Sequence, residues 1–177
     1  MKLIFILFLM STCATHEPQK IKYSRQEWRH WSDVDQDCQN TRHEILIARS
    51  ETSVSMDRKG CRVMKGTWND YYYPEIHSLS REVDIDHLIP LKHAHEAGGA
   101  LWSSKKKETF ANDPENLVVT NLRYNRQKGA KRIDQWLPVH KAYACKYIKD
   151  WLRLKSKYGL RVFESEKATI ELSDCTT

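Results

Sequence analysis

The decapeptide EVDIDHLIPL, residues 82 to 91, sets Asp84, Asp86 and His87 among Val83, Ile85, Leu88, Ile89 and Leu91. The apolar residues read as a buried β-strand, where desolvating a charge is costly unless the charge is paired or used. One satisfied polar residue, or an edge strand with a wet face, would be the structural explanation, and three ionisable groups in four residues strain it. Asn116 follows His87 by 29 residues, Asn125 comes nine residues after Asn116, and Lys128 lies one helical turn further on. A hairpin followed by a helix would bring these side chains onto one phosphate. Phosphodiester hydrolysis requires a base of near-neutral pKa for the attacking water and a cation to hold the scissile phosphate and stabilise the leaving oxygen. His87 has the chemistry of that base. Asp86 and the amide oxygen of Asn125 are hard ligands suited to Mg²⁺, which keeps several waters and needs only one or two protein groups.

The surrounding pattern supplies the elements such a site needs. The run ENLVVTNLRYNRQKG sets a short apolar strand, Leu117 to Val119, directly before a polar helical stretch closed by Gly129. Upstream, SRQEWRHWSDVD suggests a short helix with Ser24 as N-cap and Trp28 and Trp31 spaced i, i+3. NTRHEILIARS suggests another, capped by Asn40 or Thr41. CRVMKGTWNDYYY alternates and carries aromatics, so it reads as strand or hairpin with Gly66 at a turn or bulge. Helices are expected over KHAHEA, from near Ser103 to before Pro114, from beyond Pro138 to Gly159, and from Ser165 to Ser173. There are no repeats and no Gly/Ser linker, and 177 residues suit one domain with a real core. In KHAHE, His93 and His95 at i, i+2 point apart on a helix, which favours surface histidines near the substrate groove over metal ligands.

The net charge is +6 and the pI about 9.0. Five basic residues and no acid fall between Asn121 and Arg132, namely Arg123, Arg126, Lys128, Lys131 and Arg132. A polyanion is the natural partner, although a charge run alone is more often a solvated face. Lys2 and the apolar run Leu3 to Met10, followed by Ser11, Thr12 and Ala14, read as a signal peptide of residues 1–14, too short to span a bilayer. Cleavage after Ala14 would remove Cys13 and leave Cys38, Cys61, Cys145 and Cys175 in an oxidising compartment, extracellular or periplasmic, with no membrane association. No CxxC pair of a structural zinc site is present. Three pairings of four cysteines are open, and proximity in sequence favours Cys38 with Cys61 and Cys145 with Cys175.

The segment from Val83 to Pro138, with DIDHLIPL, FANDPENLVV, NRQKG and WLP in that order, resembles the HNH endonucleases of the ββα-metal (His-Me finger) superfamily. The likeness is to small secreted HNH proteins akin to the C-terminal domain of modification-dependent restriction enzymes, and it extends upstream through DVDQDCQNTRHEIL and downstream through KYGL. It implies an α+β single domain over residues 15–177, with a ββα-metal hairpin–helix core at about 82–138 surrounded by helices. By this likeness Asp86 is the metal-binding acid, His87 the general base, Asn116 a buttress of the loop holding the histidine, and Asn125 a second metal ligand from the helix. Asp84 would be an outer-sphere ligand. Arg126, Lys128, Lys131 and Arg132 would meet the substrate. One divalent ion is implied, Mg²⁺ before Mn²⁺, since asparagine stands where many HNH proteins carry histidine. The expected substrate is nucleic acid, DNA being favoured over RNA by the resemblance alone. With no base-reading element in the sequence, cleavage should show little sequence specificity. The expected state is a monomer. A secreted basic polyanion-binding protein without activity is the alternative; a zinc peptidase lacks an HExxH.

Overall fold

The computed structural model describes residues 21–175; the signal-like segment, its cleavage point and Cys13 lie outside the described residues. Among these the fold is α+β, with six helices and two small antiparallel sheets. Strands β1 (Ser55–Met56), β2 (Val63–Asn69) and β3 (Ile76–Leu79) form the first sheet in that order. Its register shifts between Lys65 and Trp68. Gly66 sits within that irregularity, and a Cβ there would stand 2.6 Å from the Trp68 ring. Helix α1 (Thr41–Ala48) is capped by Asn40, whose side chain accepts from His43 N. Its Ile45 and Leu46 pack with Val63 and Trp68 of the sheet and with Val83, Ile85, Leu117 and Val119.

Those last four residues belong to the second sheet, β4 (Val83–His87) paired with β5 (Leu117–Asn121). The register runs from Val83 opposite Asn121 to His87 opposite Leu117 without a break. Helix α4 (Leu122–Lys128) starts on the next residue, because Asn121 closes β5 and also caps the helix by accepting from Arg123 N at 2.8 Å. It ends at Gly129, whose φ of +54° favours glycine. Two antiparallel strands and a helix therefore stand together as a strand–strand–helix unit, but residues 88–116, with two helices among them, separate the strands, so they are not the hairpin that the sequence suggests. Strand β4 is shorter than its apolar pattern suggests and stops at His87. Asn116 ends it: its carbonyl accepts from Leu88 N at 2.8 Å and its side-chain Oδ1 from Ile89 N at 2.8 Å. The chain is turned through Pro90 into α2 (Leu91–Glu96).

Helix α3 (Ser104–Ala111), capped by Ser103, together with α5 (Lys141–Tyr158) and α6 (Glu164–Leu172), completes the fold. The main core joins Trp28, Tyr72, Phe110, Tyr147, Trp151 and Leu154, all fully buried. Helix α6 is held by Glu166, which accepts from Trp151 Nε1 at 3.1 Å, Lys155 Nζ at 2.5 Å and Phe163 N at 2.7 Å. The helix expected from Ser24 is not formed. Only a single 3₁₀ turn, Arg25–Glu27, is present, and the Ser24 side chain makes no cap bond. The two tryptophans do not share a helix face: Trp28 is buried in the core, while Trp31 has a φ of +59° and turns toward His87. Both disulfides favoured by proximity form, Cys38 with Cys61 and Cys145 with Cys175. The first ties the loop before α1 to the start of β2, and the second returns the end of α6 to α5.

Candidate active site

His87, at the end of β4, bonds through Nε2 to the carbonyl of Ala111 at 2.8 Å. A carbonyl can only accept, so the bond places the proton of the neutral ring on Nε2 and leaves Nδ1 as the acceptor. The ring is 6% exposed and lies against Trp31 (centroids 5.7 Å apart) and His30 (5.9 Å). Burial pushes its pKa down to about 3 against the opposing pull of the Ala111 carbonyl, with the charges of His30, Arg25 and Lys128 adding to the depression. The lowered pKa keeps Nδ1 free of a proton and also makes it a weaker proton acceptor than the near-neutral imidazole expected from the sequence.

Asp86 is likewise 6% exposed. Its Oδ2 accepts from Tyr72 Oη at 2.7 Å and pairs with Lys128 Nζ at 2.8 Å. Lys128, fully buried, also donates to the carbonyl of His87 at 2.8 Å. Burial lowers its pKa, while Asp86 works against that shift. Asn125 donates through Nδ2 to Asp84 Oδ2 at 3.0 Å, and Arg42 Nη1 stands 3.9 Å from the other oxygen of Asp84. With the amide nitrogen so engaged, the Asn125 oxygen is left free to accept.

Asp86, His87 and Asn125 border one cleft of about 350 Å³, shared with Arg25, Trp31 and Lys92. Neighbouring strand residues ordinarily point to opposite faces, yet Asp86 and His87 both border this cleft at the last rungs of the ladder. Asp86 Oδ1 and Asn125 Oδ1 accept no hydrogen bond among the described residues. Two hard oxygens on one cleft fit a hard divalent ion that keeps most of its water. A larger cleft, about 740 Å³, runs along Tyr71, Glu115, Lys146, Asp150 and Arg153. Four of its charges pair with one another, Arg153 with Glu115 and Asp150, and Lys146 with Asp150. It offers no histidine, whereas the smaller cleft holds the histidine singled out in the sequence.

Of the residues singled out in the sequence, Asp86, His87 and Asn125 come together, while Asp84 and Asn116 support them from behind. The basic residues separate. Lys128, expected among the substrate contacts, is instead fully buried, its ammonium held between Asp86 and the His87 carbonyl. Arg132 is committed to Asp134 by two bonds of 2.9 Å. Lys131 is exposed and folds its amine back onto the Gln127 carbonyl, and Arg126 is exposed on α4. His93 and His95 are buried rather than on the surface, His93 stacked on Trp151 and His95 bonded to the Ile21 carbonyl. Tyr72, Trp31, Arg25 and Lys92 carry no sequence signal for the site. They arrive from the loop after β2, the N-terminal segment and α2 through tertiary packing.

Three histidines contribute to the acid response. His87, His93 and His43 all have lowered pKa values, burial being the largest cause in each. The unfolded chain therefore binds more protons than the folded one below an unfolded pKa of about 6.5, and stability rises with pH through that window. For His87 alone the loss on going from pH 7 to pH 5 is expected to be about 2 kcal/mol. Chemical denaturation of the wild type and of His87→Gln at both pH values measures it. An equal pH effect in the two proteins would rule out His87 as its source.

A buried histidine, a carboxylate and a side-chain amide thus border one cleft on a strand–strand–helix unit. The model of the family described as GmrSD restriction endonucleases, C-terminal domain, matches residues 36–170, and the chain belongs to that family. A protein of Arthroderma benhamiae described as an uncharacterized secreted protein is 34% identical over 150 residues, spanning 84% of this chain and 72% of that protein. No solved structure matches the chain.

Proposed function

We propose that this protein is a secreted, metal-dependent endonuclease that hydrolyses phosphodiester bonds of DNA. The observation that carries this reading is the bond from His87 Nε2 to the Ala111 carbonyl, which fixes an unprotonated Nδ1 in the same cleft as the free oxygens of Asp86 and Asn125. His87 Nδ1 takes the proton of the attacking water. Asp86 and Asn125 would hold one divalent ion, Mg²⁺ or Mn²⁺, which would polarise the phosphate and stabilise the leaving oxygen. Tyr72 and Lys128 fix the Asp86 carboxylate through Oδ2, so that Oδ1 faces the cleft. Asn116 holds the turn after His87, and Asp84 orients Asn125. Secretion is supported by the two disulfides, by the signal-like residues 1–14, and by the description of the fungal relative. Among the described residues no helix is long and apolar enough to cross a membrane.

Plasmid nicking tests the reading. EDTA should abolish cleavage, and excess Mg²⁺ or Mn²⁺ should restore it. Full activity in excess chelator would show that the metal-dependent assignment is wrong.

A further inference from the structure

We propose that the cleft is built for single-stranded nucleic acid, with a base next to the scissile phosphate stacked on Trp31 and the backbone met by Arg25 and Lys92; this rests on the nuclease reading above. The first ground is depth. The reacting side chains His87 and Asp86 are each only 6% exposed, beneath a cleft of about 350 Å³. That is near the lower end of ordinary small-molecule sites, which span roughly 300–1,000 Å³. A cleft of that size accepts one unstacked base beside the phosphate. A single strand can turn a base onto the wall of the cleft, whereas a base held in a paired stack cannot leave it without cost.

The second ground is the lining. Single-strand sites combine cations that follow the backbone with aromatic faces that take bases irrespective of sequence. Arg25 and Lys92 are the cations on this cleft, Tyr23 and Trp31 its large aromatics, and Asp86 its one acid. The cations expected from the sequence are elsewhere: Lys128 is buried, and Arg132 is bound to Asp134. Arg25 is placed by its approach to His30, Nη2 to Nε2 at 3.3 Å, and His30 is in turn fixed through Nδ1 to the Trp28 carbonyl at 2.8 Å. The third ground is the backbone. Trp31 has a φ of +59°, a conformation rare for a bulky residue, and such strained positions gather at ligand-binding sites. Here it brings the indole to the wall of the cleft beside His87.

The test is binding first and cleavage second. Fluorescence anisotropy in EDTA, with the intact mature protein, compares one labelled DNA oligonucleotide as a single strand and as a perfect duplex. The single strand should bind at least tenfold more tightly, and equal or tighter duplex binding overturns the proposal. Single-turnover cleavage of the same pair with Mg²⁺ should show the same order. Cleavage of neither, with the binding preference intact, would refute the nuclease reading and leave the single-strand assignment standing. For the stacking contact, a strand with one abasic nucleotide should bind the wild type about 5- to 100-fold more weakly. That penalty should vanish in Trp31→Ala and largely return in Trp31→Phe. An abasic penalty unchanged in a folded Trp31→Ala would remove Trp31 from the site.

Discussion

Replacing His87 with alanine is expected to lower single-turnover cleavage by some 10²- to 10⁴-fold, the usual worth of a positioned general base, while leaving metal binding close to normal. The expectation follows from what each side chain touches. His87 points one nitrogen at the Ala111 carbonyl and leaves only Nδ1 for a reacting proton. The oxygens available to a cation belong instead to Asp86 and Asn125. Asp86→Ala should therefore weaken metal binding directly, so the two variants separate the role of base from that of ligand. Mn²⁺ titration followed by electron paramagnetic resonance reads affinity without requiring turnover. The shape of the pH profile adds a check. A free histidine would lose activity below about pH 6.5, whereas burial places the His87 pKa at about 3. Cleavage by the wild type should thus show no acid limb attributable to His87 between pH 5 and pH 7. Near-normal cleavage by His87→Ala, or a loss of Mn²⁺ affinity as large as that of Asp86→Ala, would refute the assignment.

The parts of this site that were legible in the sequence are those fixed by local chemistry. Asp86, His87, Asn116 and Asn125 fall where a strand end, a turn and a helix place them. The start and end of α4 need only short-range signals, an asparagine cap and a closing glycine, whereas the pairing of β4 with β5 across residues 88–116 is a long-range contact marked in the sequence only by two apolar runs. The disulfides were legible because each joins segments near in sequence. What was hidden depends on tertiary packing. Trp28 and Trp31 share helical spacing, but a fully buried core position for Trp28 and a left-handed backbone at Trp31 override it. The lysine in NRQKG looked like a phosphate contact because Arg126 and Lys131, its exposed neighbours, share its charge. Position on α4 separates them: Lys128 faces β4, and nothing in a charge run reports which of its members faces inward.

That inward lysine carries the largest expected effect on stability. Lys128 is fully buried, and its ammonium lies 2.8 Å from Asp86 Oδ2 and 2.8 Å from the His87 carbonyl. Removing one partner of a buried pair strands the other charge, at a typical cost of about 3–5 kcal/mol, because the low-dielectric surroundings that strengthened the pair now penalise the single ion. Lys128→Met keeps the apolar stem and removes the charge, so at pH 7 it should destabilise the protein by that amount. Tyr72 can still donate to Asp86, but a neutral hydroxyl cannot replace an ammonium. The double variant Asp86→Asn with Lys128→Met removes both charges and should recover most of the loss, since a neutral amide in place of the carboxylate no longer strands an ion. Chemical denaturation of the four proteins in EDTA closes the thermodynamic cycle without interference from metal. An additive double variant would mean that Lys128 and Asp86 are not coupled. A Lys128→Met protein as stable as wild type, but with weakened oligonucleotide binding and a flatter salt dependence, would mean that this lysine reaches the substrate after all.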